Sequence, residues 1–285
     1  MNNHPLFFQS TATTEATLRV RSLQTMLRFY CGTLGLQLIA GDSHRAELSA
    51  TGTSPALLVL EEDPAAPPAP QDAAGLFHIA FLYPHRPALA SALKRVLERR
   101  HALEGVADHG VSEAIYLADP ENNGLELYAD RPPENWPQRG TEIAMHTAPL
   151  NLHALLQEAA PTGYEYAAPP ETRIGHIHLK VSDLPKAEHF YGKLLGFRVR
   201  QRDLPGALFL AREGYHHHIG ANTWLSRKPA NQGALGLSRF SIELGNEAVA
   251  PAIEAAKRED RIVSESPAGA LLHDFDGIEV LVKQA

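Results

Sequence analysis

The chain has 285 residues, 44% of them hydrophobic and 21% charged, which is the balance of a globular protein with a sizeable core. Its formal charge of −7 supplies no basic field for a nucleic-acid partner, and its single cysteine, Cys31, excludes an internal disulfide or a thiolate-rich metal site. There is no uninterrupted apolar run of about 18 residues to span a membrane, and Met1 to Ser10 lacks the pattern of a secretory signal, so a cytoplasmic protein is expected.

In chain order, Thr17-Leu18-Arg19-Val20 reads as a strand, followed by a helix through Leu23 and Phe29-Tyr30 that closes on Leu34-Gly35-Leu36. Residues 62–74, rich in proline, alanine and acid, read as a linker. Residues 76–82 are the next strand. Residues 87–100 form an amphipathic helix with Leu89, Leu93, Val96 and Leu97 on one side. Strands at 114–117 and 125–128 flank the turn Asp119-Pro120-Glu121-Asn122-Asn123-Gly124. Residues 131–172 are rich in proline, with Pro132, Pro133 and Pro137 among them, and read as a connector holding a short helix at 150–159.

The opening pattern then returns. Val20 and Val181, Leu23 and Leu184, Phe29 and Phe190, and Gly35 and Gly196 are each 161 residues apart with no gap, an internal repeat. Residues 174–181 form a strand. Ser182 or Asp183 caps the next helix, Pro185 lies in its first turn and Gly196 sits past its end. Strands follow at 207–211 and 217–224. A strand at 237–244, a helix at 248–257 and a strand at 277–282 repeat the order of the second unit, with Gly277-Ile278-Glu279-Val280 matching Gly124-Leu125-Glu126-Leu127. The expected fold is α+β, with four βαβββ modules. Modules 15–61 and 76–130 make an N-terminal half (9–130), and modules 174–225 and 236–283 make a C-terminal half (173–285).

Fifteen histidines with no sulfur partners suit a first-row metal such as iron, manganese or zinc. The repeated Phe-Tyr-x-x-x-Leu-Gly, the Gly175-His176 strand start and the Asp-Pro-x-x-Asn-Gly-x-Glu strand end resemble the vicinal oxygen chelate superfamily, which includes glyoxalases, bleomycin-resistance proteins and extradiol dioxygenases. Four modules resemble its dioxygenase branch, bacterial catechol-2,3-dioxygenases in particular. The resemblance implies two cup-shaped half-barrel units. It also implies a metal ligand in the first strand of each module, five residues before the valine that precedes the helix cap, and a glutamate in the last strand. Those positions are Glu15, His78, His176 and Arg239, with Glu126 and Glu279. A guanidinium keeps its proton and cannot ligate a metal, which removes every pairing that includes module four. Modules one and two offer Glu15, His78 and Glu126, a set with one histidine. Modules two and three offer His78, His176 and Glu126, two imidazoles and a carboxylate, the set that leaves open positions on Fe(II), with Mn(II) as the alternative.

The resemblance places His217 as the proton shuttle, with His218 as the fallback. It gives Tyr116 a hydrogen bond to a metal-bound substrate oxygen, and His109 a polar role behind it. In the run Tyr215-His216-His217-His218, strand alternation puts His216 and His218 on one face and His217 on the other. His178, His218, Asn222 and Trp224 are expected to line the substrate space. His4, His44, His85, His101 and His273 read as surface residues. The implied function is ring-opening dioxygenation of a small aromatic diol with O2, with a homo-oligomer of the chain left as an open alternative to a monomer. The rivals are a glyoxalase-type lyase or isomerase, and a small-molecule binder without catalysis.

Overall fold

The computed structural model of the chain describes residues 11–140, 142–161, 166–267 and 269–285. The opening segment read for a signal, with His4, lies outside the described residues.

The first module runs β1 (Thr11–Val20), α1 (Leu23–Tyr30), β2 (Gln37–Gly41), β3 (Arg45–Ser49) and β4 (Leu58–Glu62). Ser22 caps α1 by accepting from Thr25 N, and Leu23, Met26, Phe29 and Tyr30 form its buried stripe. The second module runs β5 (Gly75–Leu82), α2 (Arg86–Glu98), β6 (Gly105–Asp108), β7 (Ser112–Ala118) and β8 (Gly124–Asp130). His85, expected to be a surface residue without a role, caps α2: its Nδ1 accepts from Ala88 N at 3.1 Å. A two-residue hairpin, β9 (Gln138–Arg139) and β10 (Glu142–Ile143), and a helix, α3 (Leu152–Leu156), fill the connector. The helix is shorter than the expected 150–159. Asn151 caps it at one end, and Pro161 disfavours helical backbone at the residue before it.

The third module runs β11 (Arg173–Lys180), α4 (Leu184–Ala187), β12 (Arg198–Gln201), β13 (Ala207–Ala211) and β14 (Ile219–Asn222). Asp183 supplies the cap, accepting from Lys186 N at 2.8 Å. The continuous α-helix expected here passes instead into a π-turn at Glu188–Leu194, closed by Leu195 N donating to Phe190 O. The repeat mate has the same closure, from Leu34 N to Phe29 O. The strand expected at 217–224 holds only residues 219–222, because Glu213 and Gly214, both at positive φ, turn the chain just before it. The three histidines therefore lie in a bend. The fourth module runs β15 (Gly236–Leu244), α5 (Asn246–Arg258), β16 (Ile262–Ser266), β17 (Gly269–His273) and β18 (Glu279–Gln284). Its last strand starts two residues later than expected, since Gly277, at φ +83, is spent in a turn that returns its N–H to Asp274 O.

Two eight-stranded sheets result, in the orders β16-β17-β18-β15-β1-β4-β3-β2 and β12-β13-β14-β11-β5-β8-β7-β6. The first and fourth modules share one sheet, and the second and third share the other. In the inner strands one face is apolar and covered, while the edge strands β2, β12 and β16 bury no residue fully. Ile177 and Leu179 of β11, for example, are fully buried, as are Phe190 and Tyr191 of the following π-turn.

The repeated tyrosine has a structural task. Tyr30 donates to Asp119 Oδ2 at 2.8 Å, while Asp119 Oδ1 accepts from the N–H groups of Glu121 and Asn123. Tyr191 likewise donates to Asp274 Oδ2 at 3.0 Å, and Asp274 Oδ1 accepts from Asp276 and Ile278. A helix in one module is thus pinned to the turn before the last strand of the next.

Candidate metal centre and its surroundings

β5 and β8 run parallel, with Ala80 opposite Glu126, and β7 runs antiparallel to β8, with Tyr116 opposite Glu126. Alternation buries Leu125 and Leu127 on the apolar face and turns Glu126 to the other. There His78 Nε2 lies 2.9 Å from Glu126 Oε2, with both side chains buried. A carboxylate held out of water requires a positive partner, either a shared proton or a cation.

Tyr116 stands beside this pair, its ring 5.7 Å from that of His78. Burial, with the Glu126 carboxylate adding to it, holds the phenol well above its ordinary value, so the hydroxyl keeps its proton at neutral pH. His109 Nε2 lies 2.7 Å from the Tyr116 oxygen, and His109 Nδ1 lies 2.9 Å from His146 O. A carbonyl only accepts, so His109 Nδ1 carries hydrogen. In the neutral ring Nε2 is then an acceptor, and His109 and Glu126 compete for the single hydroxyl hydrogen of Tyr116. His146, which sets this tautomer, was not singled out from the sequence, since it lies in a connector and contributes a backbone oxygen.

β11 places His176 and His178 on one face. The His217 ring packs 4.1 Å from that of His176, and His217 Nδ1 lies 2.8 Å from His216 Nδ1. Contrary to the alternation expected, His216 and His217 cluster, and His218 turns elsewhere. His218 packs on Tyr215 and Phe197 and accepts from Arg212 N. The cause is the bend, which removes the two-residue period of a strand. His178 Nε2 takes a hydrogen bond from Asn222 Nδ2 at 3.1 Å, and Trp224 lies 6.0 Å from the His178 ring.

Among the described residues, one group of three potential ligands has its ligand atoms mutually within 4.8 Å, namely His78, Glu126 and His176, all buried. Two neutral nitrogen donors and one anionic oxygen form a donor set that fits a divalent first-row metal. The fourth module departs from the equivalence expected of Glu126 and Glu279. Glu126 stands opposite Ala80, two residues past His78, whereas Glu279 stands opposite Arg239 itself and Leu281 takes the place of Glu126, because the turn before the last strand is two residues shorter. No such group forms there among the described residues.

The model of the Glyoxalase/Bleomycin resistance protein/Dioxygenase superfamily matches residues 12–127 and 173–256. The chain belongs to this superfamily. A catechol-2,3-dioxygenase of Bacillus subtilis (strain 168) is 43% identical over 245 residues, covering 81% of this chain and 82% of that protein. Among solved structures, a candidate dioxygenase from Bacillus subtilis subsp. subtilis str. 168 superposes with a TM-score of 0.66 at 11% identity, over 96% of this chain and 85% of the other. Glyoxalase I from Zea mays superposes with a TM-score of 0.58 at 15% identity, over 96% and 92%. At such identities the structural likenesses establish the superfamily fold and nothing of the reaction. No helix among the described residues is long and apolar enough to cross a membrane.

Proposed function

We propose that this superfamily member is an extradiol dioxygenase that opens a catechol-type ring with O2 on a metal held by His78, His176 and Glu126. The observation that carries the reading is the buried set of two histidines and one glutamate. The likeness to a catechol-2,3-dioxygenase over 81% of the chain supports it. When bound, Fe(II) or Mn(II) supplies Lewis acidity and open positions for a diol and for O2.

The chain's own groups then handle protons. The Tyr116 hydroxyl, kept protonated by burial and by Glu126, donates to a substrate oxygen or to His109. His109, its Nδ1–H tied to His146 O, keeps its Nε2 lone pair turned to Tyr116 and accepts the proton that passes along. His217, stacked beside His176, takes a proton from the diol and returns it as the ring opens. The net reaction adds both atoms of O2 to the diol and yields a muconic semialdehyde, so no external reductant is consumed.

The test is O2 uptake on adding catechol to anaerobically purified, Fe(II)-loaded protein, with a yellow product expected. The reading is wrong if a panel of catechols and hydroquinones gives no uptake while a glutathione hemithioacetal is isomerised.

A further inference from the structure

A continuous row of rings leads away from His217. Phe209 lies 5.1 Å from His217 and 5.7 Å from His178. Phe77 lies 4.9 Å from His178 and 5.4 Å from Trp224. The register explains the row. His178 of β11 and Phe209 of β13 both stand opposite Gly220 of β14, so the three share one face. A Cβ on Gly220 would meet the His178 ring at 2.8 Å; the glycine lets that imidazole lie flat across the sheet. Leu208 and Leu210 are buried on the covered face of β13, whereas Phe209 and Phe77 are only half-buried. Trp224, 41% exposed, ends the row at solvent.

The polar atoms along this row are already engaged. His178 Nε2 accepts from Asn222, Asn222 Oδ1 accepts from Trp224 N, and the Trp224 indole N–H donates to Pro205 O. Gly206, at φ +73, brings this loop so close that a Cβ there would meet the indole at 3.0 Å. What the row offers a ligand is therefore ring faces. The cation on the same face of β11 is Lys180, half-buried at the far end of the strand, where desolvation by burial disfavours its charged form.

We propose that the row formed by Phe209, His178, Phe77 and Trp224 is a subsite for an uncharged aryl substituent on the diol ring. The substrates preferred would then be aryl-substituted catechols, with catechol itself and catechols bearing a carboxylate ranking below them. The proposal rests on the ring-opening reading above. His178 and Asn222 serve it by fixing the wall, and Trp224 is the specificity-determining residue at its mouth.

The test compares catechol, a phenyl-substituted catechol and a carboxylate-substituted catechol by calorimetric binding and by kcat/KM from O2 uptake. Ring stacking on this wall should give the phenyl compound roughly a tenfold advantage over catechol in both readouts. Trp224→Ala should collapse that ratio, and Trp224→Phe should restore most of it. Preference for the carboxylate compound, lost in Lys180→Met, would overturn the proposal, as would a ratio unmoved by Trp224→Ala. If no diol consumes O2, the reaction assigned above fails. Binding still decides the subsite: the phenyl advantage and its loss in Trp224→Ala uphold it, and equal binding of all three compounds refutes it.

Discussion

His217 and Glu126 separate proton handling from metal holding. His217 packs beside His176 yet stands outside the group of three ligand atoms. His217→Asn should therefore retain metal by elemental analysis and slow turnover by roughly 10²–10⁴-fold, the usual effect of losing a positioned acid–base. A near-normal rate would move the role to His109. Glu126→Gln removes the anionic member of the set and should lose most of the metal together with the activity. A metal at His78, His176 and Glu126 competes with protons for its ligands. Its affinity should fall as pH falls, and binding in weak buffer should release acid; a pH-independent affinity would count against these ligands. Asp274 behaves differently. Burial pushes its carboxyl up to about 6, Asp276 adds to this, and hydrogen bonds from Ile278 N, Tyr191 and Asp276 N oppose it. The folded state then holds this proton more tightly than the unfolded chain, whose ordinary value is 3.8. Stability contributed by Asp274 is therefore fully present below about pH 4 and is lost as pH rises through 6, a change on the order of 3 kcal/mol. Urea unfolding of metal-free protein and of Asp274→Asn at both ends of that window should show the variant with the flatter dependence.

Among the elements, the strands and helices that sequence periodicity marks are those with a single buried face, such as α1 and β11. Legibility fails where backbone hydrogen bonding departs from the regular pattern. The π-turn at Glu188–Leu194 keeps an apolar stripe that reads like any amphipathic helix, so composition does not betray it. The His216–His218 bend follows from positive φ at Glu213 and Gly214, and the non-glycine half of that turn has no sequence mark. The grouping of His78, His176 and Glu126 was legible because the modules' first strands share one pattern, which puts the two histidines at equivalent positions. His146 was illegible because its backbone carbonyl does the work, which any residue could supply. Phe77 and Phe209 were missed for another reason. An aromatic residue on a strand reads as core, and only the pairing of Phe209 with Gly220 puts it on the open face. Glycine at that position can be checked directly. Gly220→Ala should displace the His178 ring, seen as a shifted imidazole resonance, with little loss of metal.

For the whole molecule, duplication has left two related rows with different fates. Arg239 stands where the other modules offer a ligand, and a fixed positive charge there repels a divalent cation, while Leu281 replaces the carboxylate. One metal per chain is expected. Glu279→Gln should keep metal and activity, with at most a modest change in stability. Two metals per chain, or an inactive Glu279→Gln beside a working Glu126→Gln, would reverse the assignment.

The tyrosine–aspartate pins carry a kinetic consequence. Their partners are 89 and 83 residues apart, so each contact closes a long stretch of chain. Loop-closure entropy must be met before such a contact returns anything, and pairings of this range tend to form after the folding barrier. A bond made late contributes to the unfolding barrier alone. Tyr30→Phe and Tyr191→Phe each remove a hydrogen bond worth about 1 kcal/mol, more where an acceptor is stranded. They should therefore raise the unfolding rate by roughly fivefold while leaving the refolding limb of the chevron in place. A slowed refolding limb would instead put these pins in the nucleus, and the module pairs would then be assembled before their own strands are complete.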